Sequence, residues 1–248
     1  MRGAVRVTFL GAGDAFCSGG LHQSCCFVQG SETSFLLDCG PSVLCDMKRA
    51  GLPTDSIDTV LISHLHGDHF AGLPFLFLEY THVVRRRRTL VIAGPAGTEE
   101  RVNRLFSAMY RHAAALPLPF ELEFFHLLPR QQQKIGPLTI DPFAVPHQQD
   151  ELSLGLRVEV DARTIVYSGD SGWTEELPCQ SRDSDLFICE CTSFDTRVPN
   201  HLDYVQLREN RDRFGSKRMI LTHLGQDVLA RSSEIDMELA TDGLVVVL

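Results

Sequence analysis

The chain has 248 residues, 44% of them hydrophobic and 22% charged, which is ordinary for a globular protein. Its formal net charge of −9 argues against a broad nucleic-acid-binding surface, because such a surface needs a basic excess. No stretch reaches the roughly 18 consecutive apolar residues of a membrane span, and the N-terminus runs straight into a strand-like segment, so a cytoplasmic protein is expected.

In chain order, apolar runs rich in β-branched and aromatic residues predict strands at 5–10, 25–28, 34–37 and 59–62. A helix is expected over 41–51, opened by Pro41, carried by Val43, Leu44 and Met47, and stopped by Gly51. Further strands are predicted at 89–92, 122–125, 138–145, 153–160, 164–167, 185–189, 218–221 and 244–248, and helices at 72–80, 98–110, 202–214 and 228–239. No linker or solenoid repeat interrupts this pattern, so residues 1–248 read as one domain. Strands cluster in each half with helices between some of them, which predicts an α/β architecture of two β-sheets packed face to face and covered by helices. The eight cysteines are scattered and form no C-x-x-C pair, so reduced thiols are expected. Arg85-Arg86-Arg87-Arg88 is the one basic run and reads as a solvated loop.

The chemistry concentrates in Ser63-His64-Leu65-His66-Gly67-Asp68-His69, which follows the strand at 59–62. In an extended backbone, residues two apart point the same way, so His64 and His66 form a pincer for one ion. Asp68 and His69 lie further along the turn and start a second site. His147, Asp170 and His223 each come at the end of an apolar strand, and Gly169 and Gly172 flank Asp170 where the backbone must turn sharply. Five histidines and two aspartates suffice for two divalent ions if one carboxylate bridges them. Imidazole and carboxylate suit Zn2+, and manganese or iron would accept the same donors. With a bridging hydroxide the site keeps a net charge of about +1, which prefers an anionic substrate.

These residues resemble the metallo-β-lactamase superfamily, and within it the ribonuclease Z-like and phosphodiesterase branch. The likeness includes Phe9-Leu10-Gly11-Ala12-Gly13-Asp14-Ala15, Leu36-Leu37-Asp38-Cys39-Gly40, the histidine loop, Tyr167-Ser168-Gly169-Asp170 and Leu221-Thr222-His223. It implies an αββα sandwich of two mixed β-sheets flanked by helices. One ion would sit on His64, His66 and His147, the other on Asp68, His69 and His223, with Asp170 between them and Asp38 orienting the histidine loop. It also singles out Glu190-Cys191-Thr192, followed by Asn200-His201-Leu202. Glu190 would favour the imidazolium form of His201, which would face the leaving group. Asp68, His201 and Glu190 are thus the candidate catalytic residues. The expected reaction is hydrolysis of a phosphodiester by a metal-bridging hydroxide, the substrate being a cyclic nucleotide, a small diester or an RNA 3′ end. A lactone, thioester or other carboxyl ester is the alternative substrate, and a non-catalytic metal-binding sensor the alternative of another class.

Two departures from the branch weigh against transfer-RNA processing. No long glycine- and proline-bearing arm is present, and Leu202-Asp203-Tyr204 follows His201 where small residues are usual. The cysteines do not form the accessory zinc site of the phosphonate-pathway phosphodiesterases either. The resemblance implies a homodimer. Of the remaining histidines, His22 is a candidate substrate contact on the loop after the first strand, His82 a candidate at the entrance, and His112 and His126 are expected to be structural.

Overall fold

A computed structural model describes residues 4–248. It contains two seven-stranded sheets. The first holds β1 (Arg6–Gly11), β2 (Cys25–Gln29), β3 (Ser34–Leu37), β4 (Thr59–Leu61), β5 (Leu90–Gly94), β6 (Leu122–His126) and the last strand, β14 (Val245–Val247), in the order β14-β1-β2-β3-β4-β5-β6. The second holds β7 (Gln133–Ile135), β8 (Leu138–Val145), β9 (Ser153–Val160), β10 (Arg163–Tyr167), β11 (Leu186–Glu190), β12 (Met219–Thr222) and β13 (Glu238–Leu239), in the order β13-β12-β11-β10-β9-β8-β7. Both sheets are mixed. β3 to β6 and β10 to β13 run parallel, and antiparallel strands extend each sheet on one side.

The two-residue period of the strands builds the layers. Phe35 and Leu37 of β3 enter the space between the sheets, where they pack with Val7, Phe9, Leu156, Val158, Ile165 and Ile188. Leu36 points the other way, into a second cluster under the helices α1 (Val43–Arg49), α3 (Leu73–Leu78) and α4 (Thr98–Met109), next to Met47, Phe77 and Phe106. The second sheet repeats the arrangement: Val166, Phe187 and Leu221 pack beneath α6 (Glu176–Ser181), α7 (Tyr204–Glu209) and α8 (Gln226–Ala230), through Leu177, Leu207 and Val228. Two short helices, α2 (Gly67–Phe70) and α5 (Arg111–Ala114), complete the set. This helix–sheet–sheet–helix stack is the αββα sandwich. In α4 the apolar positions Val102 and Phe106 lie one turn apart on the buried face, while Glu99 and Glu100 occupy the first turn, where the helix dipole favours negative charge.

Several expectations need correction. The helix expected over 228–239 is only α8 followed by a single 3₁₀ turn, after which the chain enters β13, because Ala240 and Leu239 complete the edge of the second sheet beside Leu221. The helix over 202–214 stops at Glu209 and continues as a 3₁₀ turn, Arg211–Arg213. The arginine run is not simply solvated. Arg86 is 1% exposed, and its guanidinium donates to the carbonyl oxygens of Asp55, Arg88 and Thr89 while lying over the Tyr80 ring. Among the described residues no helix is long and apolar enough to cross a membrane, and all eight cysteines are free.

Candidate metal centre

Every candidate ligand lies at or just past the C-terminal end of a strand, and those ends meet along one rim of the sandwich: His64, His66, Asp68 and His69 after β4, His147 after β8, Asp170 after β10 and His223 after β12. Donor atoms of His64, His66, His147 and Asp170 come within 4.8 Å of one another, as do those of Asp68, His69, Asp170 and His223. Asp170 belongs to both groups. Its Oδ2 lies 3.3 Å from Nε2 of His69 and of His223, and 3.8 Å from Nε2 of His64 and of His147. Gly169 makes this possible: its φ is 57°, and a Cβ there would meet Leu154 O and Ser63 Cβ, both at 2.8 Å.

The electrostatics of the cluster call for cations. His64 Nε2, His69 Nε2, His223 Nε2 and Asp170 Oδ1 are buried without a hydrogen-bond partner, an arrangement that costs roughly 1–3 kcal/mol per neutral group unless something fills it. Nδ1 of His66 and Nε2 of His147 face each other at 3.0 Å. Lone pairs and carboxylate oxygens converging in this way fit a pair of divalent ions. Burial opposes the charge on Asp170, but His223 and His69 hold its carboxyl well below the usual range. Burial also disfavours a charged imidazole at His223, yet the surrounding carboxylates, Asp170 at 3.3 Å and Asp68 at 3.5 Å, push its pKa up to about 9. His64, buried and beside His69, is pushed down instead.

A layer of hydrogen bonds holds the ligands in place. Asp38, fully buried, accepts from Ser63 N through Oδ1 and from Ser63 Oγ, His69 Nδ1 and Tyr167 OH through Oδ2, each at 2.7 Å. Since the carboxylate only accepts, His69 must carry a proton on Nδ1, which leaves Nε2 to the cluster. Thr192 links the other side: its Oγ1 lies 3.0 Å from Nδ1 of both His223 and His201 and 2.8 Å from Glu190 Oε2. Asn200 brackets His147, its carbonyl 3.2 Å from Nδ1 and its amide donating to His147 O. Sequence reasoning assigned no role to Tyr167, Thr192 or Asn200. For Tyr167 the signal was available, since a phenol in a buried strand needs a partner for its hydroxyl.

His201 stands beside the cluster, with its ring 4.8 Å from that of His147 and 5.7 Å from that of His223. Its Nδ1 lies 2.9 Å from Glu190 Oε1, and the same carboxylate accepts from Ser171 N and Leu202 N. Burial works against the imidazolium here, but the hydrogen bond and charge of Glu190 outweigh it and raise the His201 pKa. His22 is tied down by two carboxylates. Its Nδ1 is 2.5 Å from Asp46 Oδ1 and its backbone N–H donates to Asp242, so it ties the first loop to α1.

The sequence matches the family described as Anti-Pycsar protein Apyc1 over residues 5–245. The chain belongs to this family. It is also similar to the probable metallo-hydrolase YhfI of Bacillus subtilis, at 26% identity over 89% of this chain and 87% of that protein. Ribonuclease Z of Methanosarcina acetivorans is 25% identical over the same shares. The crystal structure of YhfI superposes with a TM-score of 0.80 at 23% identity, covering 99% of this chain and 100% of that one. Human short-form tRNase Z gives 0.79 at 24%, over 97% and 98%. This Apyc1-family chain therefore has the metallo-β-lactamase fold, and its relatives together with the His/Asp clusters support a metallo-hydrolase.

Proposed function

We propose that this protein is a dinuclear metal-dependent phosphodiesterase. In this reading His64, His66 and His147 would hold one ion and Asp68, His69 and His223 the other, with Asp170 available to both; Zn2+ is the preferred metal and Mn2+ or iron would accept the same donors. Such ions, when bound, lower the pKa of a shared water toward about 7 and neutralise the non-bridging phosphate oxygens. The substrate is a cyclic nucleotide, a small diester or an RNA 3′ end, and the ribonuclease Z relatives support that class by their names.

The observation that carries the reading is the Glu190–His201 pair set against the ligand cluster. An ester of a carboxylic acid needs stabilisation of an oxyanion on carbon, whereas a phosphodiester needs help for a poor alkoxide leaving group. His201 supplies that help. Water gives its oxygen to phosphorus and a proton to solvent, and the leaving oxygen departs with the bonding pair and takes the Nε2 proton of His201. Glu190, fixed by Ser171 and Leu202, holds the charge on the ring. Asp68 stands beside the reacting centre, where burial opposes its charge but the neighbouring His69 and His223 imidazoles hold its carboxyl well below the usual range.

The test is His201→Ala, assayed on bis(p-nitrophenyl) phosphate and a cyclic-nucleotide panel together with metal analysis. Turnover should fall roughly 100-fold or more with both ions retained. Unchanged turnover removes His201 from the mechanism, and hydrolysis of a lactone or thioester with none of any diester overturns the phosphodiesterase reading. The reading includes a homodimer, checked by sedimentation.

A further inference from the structure

Away from the metal cluster, the outer face of the first sheet carries a cavity of about 510 Å³, between the C-terminal end of α1 and the strands β14 and β1. This is within the range of natural small-molecule sites. Val7 and Phe9 of β1 point into the space between the sheets, so Arg6, Thr8 and Leu10 face the other way and line the cavity. The helix ends at Arg49, and Ala50 and Leu52 close the opposite wall. None of the candidate metal ligands borders this space.

The strand register sends opposite charges to opposite ends. At one end Arg6 stands level with Gln29 on β2 and Val247 on β14. At the other, Leu10 lies beside the turn before β14, where Gly243 N–H donates to the Phe9 carbonyl. Here the carboxylates of Asp46 and Asp242 converge on His22 Nδ1, at 2.5 and 3.6 Å. Four strand residues separate the two ends, roughly 13 Å along the backbone. The acidic end has an unmet acceptor: Asp46 is 5% exposed, and its Oδ2 is buried without a hydrogen-bond partner. Such an oxygen favours a charged donor. Arg49 is exposed and comes no nearer than 3.8 Å to Asp46 Oδ1, so it adds positive charge along the wall with its donors largely unspent. Leu10, Leu52 and Val245 form an apolar floor between the ends. A simple anion would use the arginines and leave Asp46 unmet, and a purely apolar molecule would leave both ends unmet.

We propose that this cavity binds a short bipolar molecule with an ammonium at one end, a carboxylate at the other and an apolar middle, the chemistry of a small unblocked peptide with aliphatic side chains. The ammonium sits against Asp46 and Asp242, the carboxylate against Arg6, and the side chains on Leu10, Leu52 and Val245. Two extended residues span about 7 Å, and the long Arg6 side chain covers the rest. The site is independent of the reaction assigned to the metal centre.

The test uses the metal-loaded protein and unblocked leucyl-leucine, with N-acetyl-leucyl-leucine and leucyl-leucine amide as versions that each lack one charge. Dissociation constants are measured by saturation-transfer NMR. Saturable binding of leucyl-leucine is expected, weakened about 10-fold by blocking either end, the scale of one lost charged hydrogen bond. Arg6→Ala, a change at an exposed position, should weaken leucyl-leucine by the same factor and abolish its advantage over the amide. Ala50→Trp, which fills the cavity from its exposed wall, should abolish binding. Absence of binding to the parent overturns the site, as does binding that both variants leave unchanged, since the peptide would then sit elsewhere. Equal affinity for the free and end-blocked peptides overturns the bipolar assignment.

Discussion

Replacing Asp38 with Asn changes one heavy atom of a fully buried side chain and, under the proposed two-ion reading, should weaken metal binding at His69. The carboxylate takes four hydrogen bonds, one on Oδ1 from Ser63 N and three on Oδ2 from Ser63 Oγ, His69 Nδ1 and Tyr167 OH. An amide can accept on only one side. If its oxygen takes the Oδ1 place, the NH2 faces His69 Nδ1. The hydroxyls of Ser63 and Tyr167 can rotate to accept, but the imidazole must move its proton to Nε2, the atom that faces Asp68 and Asp170. If the amide turns over, NH2 faces Ser63 N–H, and two donors meet in a fully buried site, which costs roughly 1–3 kcal/mol. Either orientation weakens the His69 site. On that reading, affinity for the ion proposed at Asp68, His69 and His223 should fall about 10- to 100-fold, as is usual when an orienting partner of a metal ligand is lost, and the site proposed at His64, His66 and His147 should be affected less. Chelator competition with metal analysis counts ions per chain and measures both affinities. Asp38→Asn protein that holds two ions as tightly as the parent would refute the tautomer argument.

Two other outcomes concern stability. Arg86→Ala leaves the Asp55, Arg88 and Thr89 carbonyls without their donor in a buried pocket and should cost about 3 kcal/mol, read as a drop of roughly 6–12 °C in Tm for a chain of this size; a change under about 1 °C would show that the arginine run is only a solvated loop. Asp185 is bound by Lys217 Nζ at 2.8 Å, Thr164 N at 2.9 Å and Arg163 at 3.2 Å, which together outweigh burial and lower its pKa. A depressed carboxyl contributes stability above the unfolded value of about 3.9 and loses it as pH falls through the folded value. Asp185→Asn should therefore cost about 1 kcal/mol at pH 7, small because Lys217 and Arg163 reach into solvent. In urea titrations the gap from the parent should close as pH falls through the depressed folded value, and a gap that widens on acidification contradicts the assignment.

Much of this protein was legible along the chain because strands and turns are local. Alternating burial such as Phe35, Leu36 and Leu37 follows from a two-residue period, and the spelling from His64 to His69 compresses four donors into six residues at a strand end. The separate placement of His147, Asp170 and His223 at strand ends was visible too, since each closes an apolar run. Tertiary structure alone decided the rest. Tyr167 reaches Asp38 across 129 positions, Thr192 joins two histidines that lie 9 and 31 positions away, and the 228–239 segment gives up most of its helix to supply an edge strand for β12. The pairing of His22 with Asp46, 24 positions away, was likewise not readable along the chain. The physical reason is the same in each case. Periodicity constrains which way a side chain points relative to its neighbours in sequence, whereas its partner is set by the register of two sheets and by the need of each buried polar atom for a hydrogen bond, a condition met between distant segments.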